Sequence, residues 1–317
     1  MLMMQVSDMN RWNIPLAVIL LLCATVFATG SANADGSVGM ENSTLGTSPK
    51  LNELVPFVES ALVYAQEFGK DRALEEFSNK TGSFFRGELY IYAYDFNGTN
   101  LAHPIKPEWI GKNKLNETDS NGILSVRNTM NAAREGKGFT YFIFPNPAHD
   151  NQLELKIGYA VSVDDDWWLG SGSYLDDIPA SFDPQQRDEL VAFVDEALAY
   201  ARENGRQKAL AAFNDPSGNF TRDSRYILAY DYQGKTLALP HQPELIGKSR
   251  MDDQDPNGVY VTRQFIDAAR RGKGFLYYIY PDPSRNMSDA LKLSYVADVD
   301  GSWFIGSGIY ARSDDAN

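Results

Sequence analysis

Lys156 stands between Leu155 and Ile157, and Lys292 between Leu291 and Leu293, in runs apolar enough to be largely buried strands. An ammonium group removed from water is costly unless a counter-charge meets it, and in a pocket that counter-charge can be a ligand carboxylate. Tyr90, Tyr92, Tyr94, Tyr141 and Tyr159, with Tyr226, Tyr230, Tyr277 and Tyr295, offer apolar walls with hydroxyl tips, a lining suited to small molecules. The competing reading is structural, since strand tyrosines are ordinary core residues and a strand lysine can snorkel to water at a sheet edge. Parity adds a constraint. Lys156 and Tyr159, three apart in a regular strand, point to opposite faces and reach one pocket only across a bulge.

Other chemistries lack their parts. Gly170-Ser171-Gly172-Ser173 does not have the spacing of a nucleophile elbow, and its glycines in a strand mark a bulge or a close backbone approach. Gly136-Lys137-Gly138 follows a helix where a phosphate loop would precede one, so it reads as a helix C-cap and turn. Asp253, Asp255, Asn257 and Gly258 match the first half of a calcium loop, as do Glu117, Asp119, Asn121 and Gly122. The twelfth positions carry Gln264 and Asn128 instead of a bidentate glutamate, so helix N-capping is the preferred reading. The single cysteine, Cys23, lies in an N-terminal apolar run, and the three histidines are scattered, so no metal site is expected and no cofactor is implied. Lys and Arg number 29 against 42 Asp and Glu, a net charge of −13 that argues against a nucleic acid partner.

The N-terminus reads as an export signal. Residues 14–28 form an apolar run after Arg11, and Ala32-Asn33-Ala34 offers the small residues a signal peptidase wants. Residues 1–34 are therefore expected to be a signal peptide or an uncleaved N-terminal anchor, and 35–50 a flexible tether rich in Gly, Ser, Thr and Asn. Localisation would be secreted or at the cell surface, outside the cytoplasmic membrane. Six Asn-x-Ser/Thr triplets, at Asn42, Asn79, Asn97, Asn116, Asn219 and Asn286, fit surface glycosylation, although polar turns are also rich in these residues.

The elements that must position the lysines come twice. Leu54-Val55-Pro56-Phe57-Val58 recurs as Leu190-Val191-Ala192-Phe193-Val194, and the same offset of 136 residues maps Tyr94-Asp95 on Tyr230-Asp231, Lys156 on Lys292 and Gly170-Ser171-Gly172 on Gly306-Ser307-Gly308. Each copy opens with an amphipathic helix, from Leu54 or Leu190, ended by Gly69 or Gly205. A short helix and a hairpin turning at Asn97-Gly98 follow. A helix capped near Asp119-Ser120 then runs to Arg134, ahead of three β-type runs. That order predicts an α+β fold, with helices packed on an antiparallel sheet of about five strands. Residues 51–178 would be the first domain, 179–187 a linker and 188–312 the second.

With these motifs in place, the chain resembles the Cache family of PAS-like extracellular sensor domains. The resemblance is carried by Tyr94-Asp95-x-x-Gly98, Leu101-Ala102-His103-Pro104, Ile110-Gly111-Lys112-Asn113, Gly138-Phe139-x-Tyr141, Lys156-x-x-Tyr159 and Trp168-x-Gly170-x-Gly172-x-Tyr174. The second copy has Leu239-Pro240-His241 where the first has His103-Pro104-Ile105. The resemblance implies two tandem Cache domains, each a long N-terminal helix plus a central antiparallel sheet, binding small carboxylates beside that sheet. It implies ligand-binding roles for His103, Tyr141 and Lys156 in the first copy and for Tyr277 and Lys292 in the second; the reading of the strand tyrosines adds Tyr92 and Tyr230 to the expected ligand-binding residues. The expected function is an exported, non-enzymatic sensor-type protein. It would capture a small organic acid and present it to a membrane sensor kinase, chemoreceptor or transporter. The alternative is a structural or adhesive cell-surface module with closed pockets.

Overall fold

The computed structural model describes residues 49–222 and 224–311. The expected signal segment, nearly all of the tether, Asn42 and residue 312 lie outside the described residues. Helix α1 (Pro49–Phe68) forms because Leu54, Phe57, Val58, Ala61 and Ala65 recur at helical spacing, and that stripe is buried while Val63 on the far side is exposed. After Gly69 comes α2 (Lys70–Phe77), then the short ribbon β1 (Phe85–Arg86) and β2 (Leu89–Tyr90). Strands β3 (Tyr92–Asp95) and β4 (Asn100–Ala102) make the hairpin that Asn97-Gly98 turns. Helix α3 (Ser125–Arg134) leads to three long strands, β5 (Lys137–Asn146), β6 (Gln152–Ser162) and β7 (Trp167–Tyr174).

These strands form an antiparallel sheet in the order β4-β3-β7-β6-β5. In β6, Leu155, Ile157, Tyr159 and Val161 join the core under α1, so the alternate residues Lys156, Gly158 and Ala160 point to the other face, where α3 packs. No bulge interrupts the β5–β6 or β6–β7 pairing, in which Phe142 pairs with Lys156 and Lys156 with Tyr174.

The second repeat runs the same course. It comprises α4 (Pro184–Asn204), α5 (Arg206–Phe213), β8 (Thr221–Arg222), β9 (Arg225–Tyr226), β10 (Leu228–Asp231), β11 (Thr236–Ala238), α6 (Val261–Arg270), β12 (Lys273–Asp282), β13 (Ser288–Asp298) and β14 (Trp303–Tyr310). Its sheet order is β11-β10-β14-β13-β12, the first order repeated. The α+β architecture of two repeated units, each with a long leading helix and a five-stranded sheet, agrees with the sequence. Asp183 caps α4 by accepting the Gln185 N–H, with Pro184 in the first turn, where its missing donor costs nothing.

The repeats meet through contacts that obey the 136-residue offset. The Tyr141 hydroxyl donates to Asp255 Oδ2 at 2.9 Å and accepts from Asn257 Nδ2 at 2.8 Å, and in the mirror arrangement the Tyr277 hydroxyl accepts from Asn121 Nδ2 at 2.7 Å beside Asp119. Phe139 lies over Gly258 and Phe275 over Gly122. Both glycines have φ near +90°, and a Cβ would meet the opposing ring at 3.2 Å and 3.0 Å. Asn131 and Asp267, equivalent residues, touch each other through Nδ2 and Oδ2 at 3.1 Å. Equivalent groups exchanging equivalent contacts define an isologous interface inside one chain, the arrangement a two-fold axis imposes.

The Asp119 and Asp255 turns correct the capping expectation. Helix α3 starts at Ser125, and its N-cap residue, Leu124, makes no side-chain cap. Asp119 instead accepts the backbone N–H groups of Asn121 and Ile123 on one oxygen and of Ile143 on the other. Asp255 does the same with Asn257, Val259 and Ile279. The short aspartate side chain outcompetes the helix for local backbone donors and pins each loop to the adjacent strand.

Candidate functional site

On the α3 side of the first sheet lies a cavity of about 260 Å³, walled by Tyr90, Tyr92, Tyr94, Trp109, Phe142, Phe144 and Trp168, with Lys156 and His103 among its lining residues. Strand parity explains this set. Phe142 and Phe144 share a face with Lys156, and the glycines beneath leave room for them, since a Cβ on Gly158 would lie 2.8 Å from the Phe142 ring and one on Gly172 would lie 2.7 Å from Lys156 Cε. The glycine motif of β7 is therefore the close-approach surface on which the lysine stem lies.

Lys156 is 1% exposed. Its Nζ donates to the Tyr90 hydroxyl at 3.0 Å and to the Tyr174 hydroxyl at 3.5 Å, and stands 4.1 Å and 4.5 Å from the centres of those rings. Among the described residues no carboxylate forms a salt bridge with it. Burial lowers its pKa from the usual 10.5 to about 7, with the more distant charge of Glu88 opposing the shift. Ring faces and hydroxyls supply part of what the ammonium lost on leaving water, and a full counter-charge is missing.

His103 is 2% exposed, and its Nδ1 accepts the Lys106 N–H at 3.2 Å, which leaves the proton on Nε2. Burial, then the charges of Lys156 and Lys106, pull its pKa from 6.5 to about 3, so the ring is a neutral donor across the physiological range. It stacks on Tyr92 and Phe144 and meets the edge of Trp109. The other lysine of the lining, Lys114, is already paired with Glu117 at 2.6 Å. Trp168 is fully buried, and its indole N–H has no partner among the described residues.

Of the residues singled out in sequence, the structure brings His103, Lys156 and Tyr92 together in the first repeat. Tyr141 lies on the opposite face of the sheet, under α1, and spends its hydroxyl on the second repeat. It pairs with Ile157, not Lys156, and an unbulged strand fixes that difference of face. Tyr277 is its counterpart and also faces away. Sequence reasoning missed Trp109, Phe142, Phe144 and Trp168. Pairing β5 with β6 in register would have found the two phenylalanines, whereas Trp109, in the single 3-10 turn Pro107–Trp109, carried no periodic signal.

The second repeat keeps the lysine and fills the space around it. Lys292 is 1% exposed, donates to the Tyr226 hydroxyl at 3.1 Å and has its pKa lowered by burial to about 7. Phe265 stands where the first repeat has Thr129 and packs against Tyr230 and Tyr278. Arg250, at the position of Lys114, donates to the Tyr230 and Tyr280 hydroxyls at 3.2 Å and 3.3 Å. Tyr280 also bonds Gln242, and Ser294, in place of Gly158, meets the Tyr278 hydroxyl. Tyr230 thus belongs to a packed, mutually bonded cluster. Leu239, in place of His103, is buried.

A family model described as a Cache domain matches residues 66–313, and the chain belongs to that family. Membership makes the chain a sensor-type, ligand-binding module. It is 28% identical over 173 residues to the sensor histidine kinase MctS of Rhizobium johnstonii, covering 52% of this chain and 37% of that protein. It is 35% identical over 92 residues to the methyl-accepting chemotaxis protein CtpM of Pseudomonas aeruginosa, covering 29% of this chain and 16% of that protein. The matched segments thus span well under half of either relative. A crystal structure of a methyl-accepting chemotaxis protein from Vibrio parahaemolyticus is similar at 30% identity and a TM-score of 0.36, over 40% of this chain and 88% of that one. Among the described residues no helix is long and apolar enough to cross a membrane, and no cluster of His, Cys, Asp and Glu could hold a metal ion.

Proposed function

We propose that the chain captures a small organic acid in the cavity of its first repeat, outside the cytoplasmic membrane, and reports occupancy to a membrane partner such as a sensor kinase, chemoreceptor or transporter. The observation that carries this reading is the buried Lys156, which has no carboxylate partner among the described residues and opens on an aromatic-walled cavity. A ligand carboxylate supplies the missing counter-charge through charge-assisted hydrogen bonds, His103 donates from Nε2, and Tyr92, Phe142 and Phe144 exclude water around the pair. Tyr141 and Tyr277 take no part in binding and hold the repeats together instead. Occupancy then shifts the balance between arrangements of the sheet and its helices, which the partner reads as a change in population.

A panel of short organic acids titrated by calorimetry against the wild type and Lys156→Met tests the reading. At least one acid binds the wild type and loses most of its affinity in the variant. If no acid binds, or if one binds both proteins equally, carboxylate capture at Lys156 is wrong.

A further inference from the structure

Five of the six Asn-x-Ser/Thr triplets fall within the described residues, and in all five the asparagine, Asn79, Asn97, Asn116, Asn219 or Asn286, is exposed and lies in a turn or loop. Their amide nitrogens share a further property. None of the five donates a hydrogen bond from Nδ2 to another described residue, and where the amide is engaged it is through the oxygen. Asn79 Oδ1 accepts from Thr81, and Asn116 Oδ1 accepts from Arg127.

The other eleven described asparagines behave differently. Eight of them donate through Nδ2 to a protein acceptor. Four of the eleven, Asn100, Asn121, Asn128 and Asn146, are buried, and none of the four begins a triplet. If the triplets only reflected a polar composition, these structural asparagines would fall among them. Instead each of the five described triplets presents a nitrogen that makes no hydrogen bond to another described residue.

We propose that these five asparagines are glycosylation sites. The donor class is an oligosaccharide linked through phosphate or pyrophosphate to a lipid, and an external transferase reads the hydroxyl residue two positions on, which is Thr in four triplets and Ser in one. The transfer forms a bond between Nδ2 and the anomeric carbon of the sugar. The bond from that carbon to the phosphate oxygen breaks, its electron pair leaves on the lipid phosphate, and one amide proton passes to a base of the transferase. Nothing is oxidised or reduced. The folded chain meets the demand such a transferase makes of its acceptor, an exposed turn with a free amide nitrogen. The five third residues add accessibility of their own: Thr81, Thr118 and Ser288 are exposed, and Thr99 and Thr221 are half-buried.

Mass spectrometry on the protein purified from the cells that make it decides the matter, both on the intact chain and on its peptides. The expected result is sugar mass on peptides containing Asn79, Asn97, Asn116, Asn219 and Asn286, and none on Asn113 or Asn151, exposed asparagines outside any triplet. Thr81→Ala and Thr118→Ala each delete one increment while the asparagine stays, and Thr81→Ser restores the first. An intact mass equal to that of the bare chain overturns the proposal, as does an Asn79 modification that survives Thr81→Ala. The outcome is independent of what the cavity binds.

Discussion

The hydroxyl of Tyr141 donates to the carboxylate of Asp255 across 2.9 Å, tying the α1 side of one sheet to a loop of the other repeat. One residue along the strand, Phe142 faces the cavity and pairs with Lys156. Adjacent residues of β5 thus serve separate purposes, one holding the repeats together and the other lining the binding space, and mutations can part them.

Tyr141→Phe removes a buried donor and leaves Asp255 and Asn257 each short of a partner. It should cost about 1–3 kcal/mol of stability in urea unfolding and leave ligand affinity within about twofold of the wild type. Tyr277→Phe should behave the same way. A variant that kept its stability and lost its ligand would place Tyr141 in the binding site instead.

Lys156→Met replaces a desolvated ammonium with an apolar chain of similar length. The native pKa is depressed, so the penalty is fully present below about pH 7 and fades as pH rises towards 10.5. At pH 6 the variant should therefore be more stable by about 1–3 kcal/mol, net of the bond lost to Tyr90, while binding no acid. Lys292→Met should gain stability likewise and keep the wild-type ligand response. A lower melting temperature for Lys156→Met at pH 6 would show that its ring and hydroxyl contacts already compensate the charge.

With its pKa near 7, Lys156 in the free protein is about nine-tenths neutral at pH 8, and a bound carboxylate restores the charge. Binding at pH 8 should take up nearly one proton, and affinity should fall about tenfold for each pH unit above 7. Calorimetry in two buffers of different ionisation enthalpy reads the proton directly. Identical heats in both buffers would contradict the assignment.

His103 resists protonation in the native state and accepts it readily when unfolded. Its contribution is therefore present above pH 6.5 and lost as pH falls towards 3. Between pH 6.5 and 5 this single ring should cost the wild type about 2 kcal/mol. His103→Gln should flatten that part of the stability profile, as followed by denaturant midpoints. A variant with the wild-type slope would assign the acid sensitivity elsewhere.

Thr129→Phe copies into the first repeat the residue that fills the second. The ring should occupy the cavity and abolish the ligand response. The fold should survive at a cost of about 1–3 kcal/mol, because Thr140 loses its hydroxyl partner. Full ligand affinity in a folded Thr129→Phe protein would place the binding space away from α3.

Much of the architecture was legible because the 136-residue offset doubles every signal, so a weak strand in one repeat is reinforced by its twin. The two lysines could be read as buried because their neighbours Leu155, Ile157, Leu291 and Leu293 are apolar, whereas the face each one takes depends on register. Tyr141 and Tyr277 pair with Ile157 and Leu293, not with the lysines, and only the register reveals that they face away from them. The start of α3 was missed for a different reason, since Asp119 looks like a cap until Ile143, a residue far along the chain, donates to it. The unequal cavities are written in Thr129 against Phe265 and in Gly158 against Ser294, but such a difference acquires meaning only once facing side chains are known.

Because the loops around Asp119 and Asp255 are each clasped by the opposite half, neither half can open without stripping a buried tyrosine of its partners in the other. The amides of Ile143 and Ile279, which those aspartates accept, should exchange with solvent at a shared rate, the signature of one cooperative unit built from two recognisable pieces.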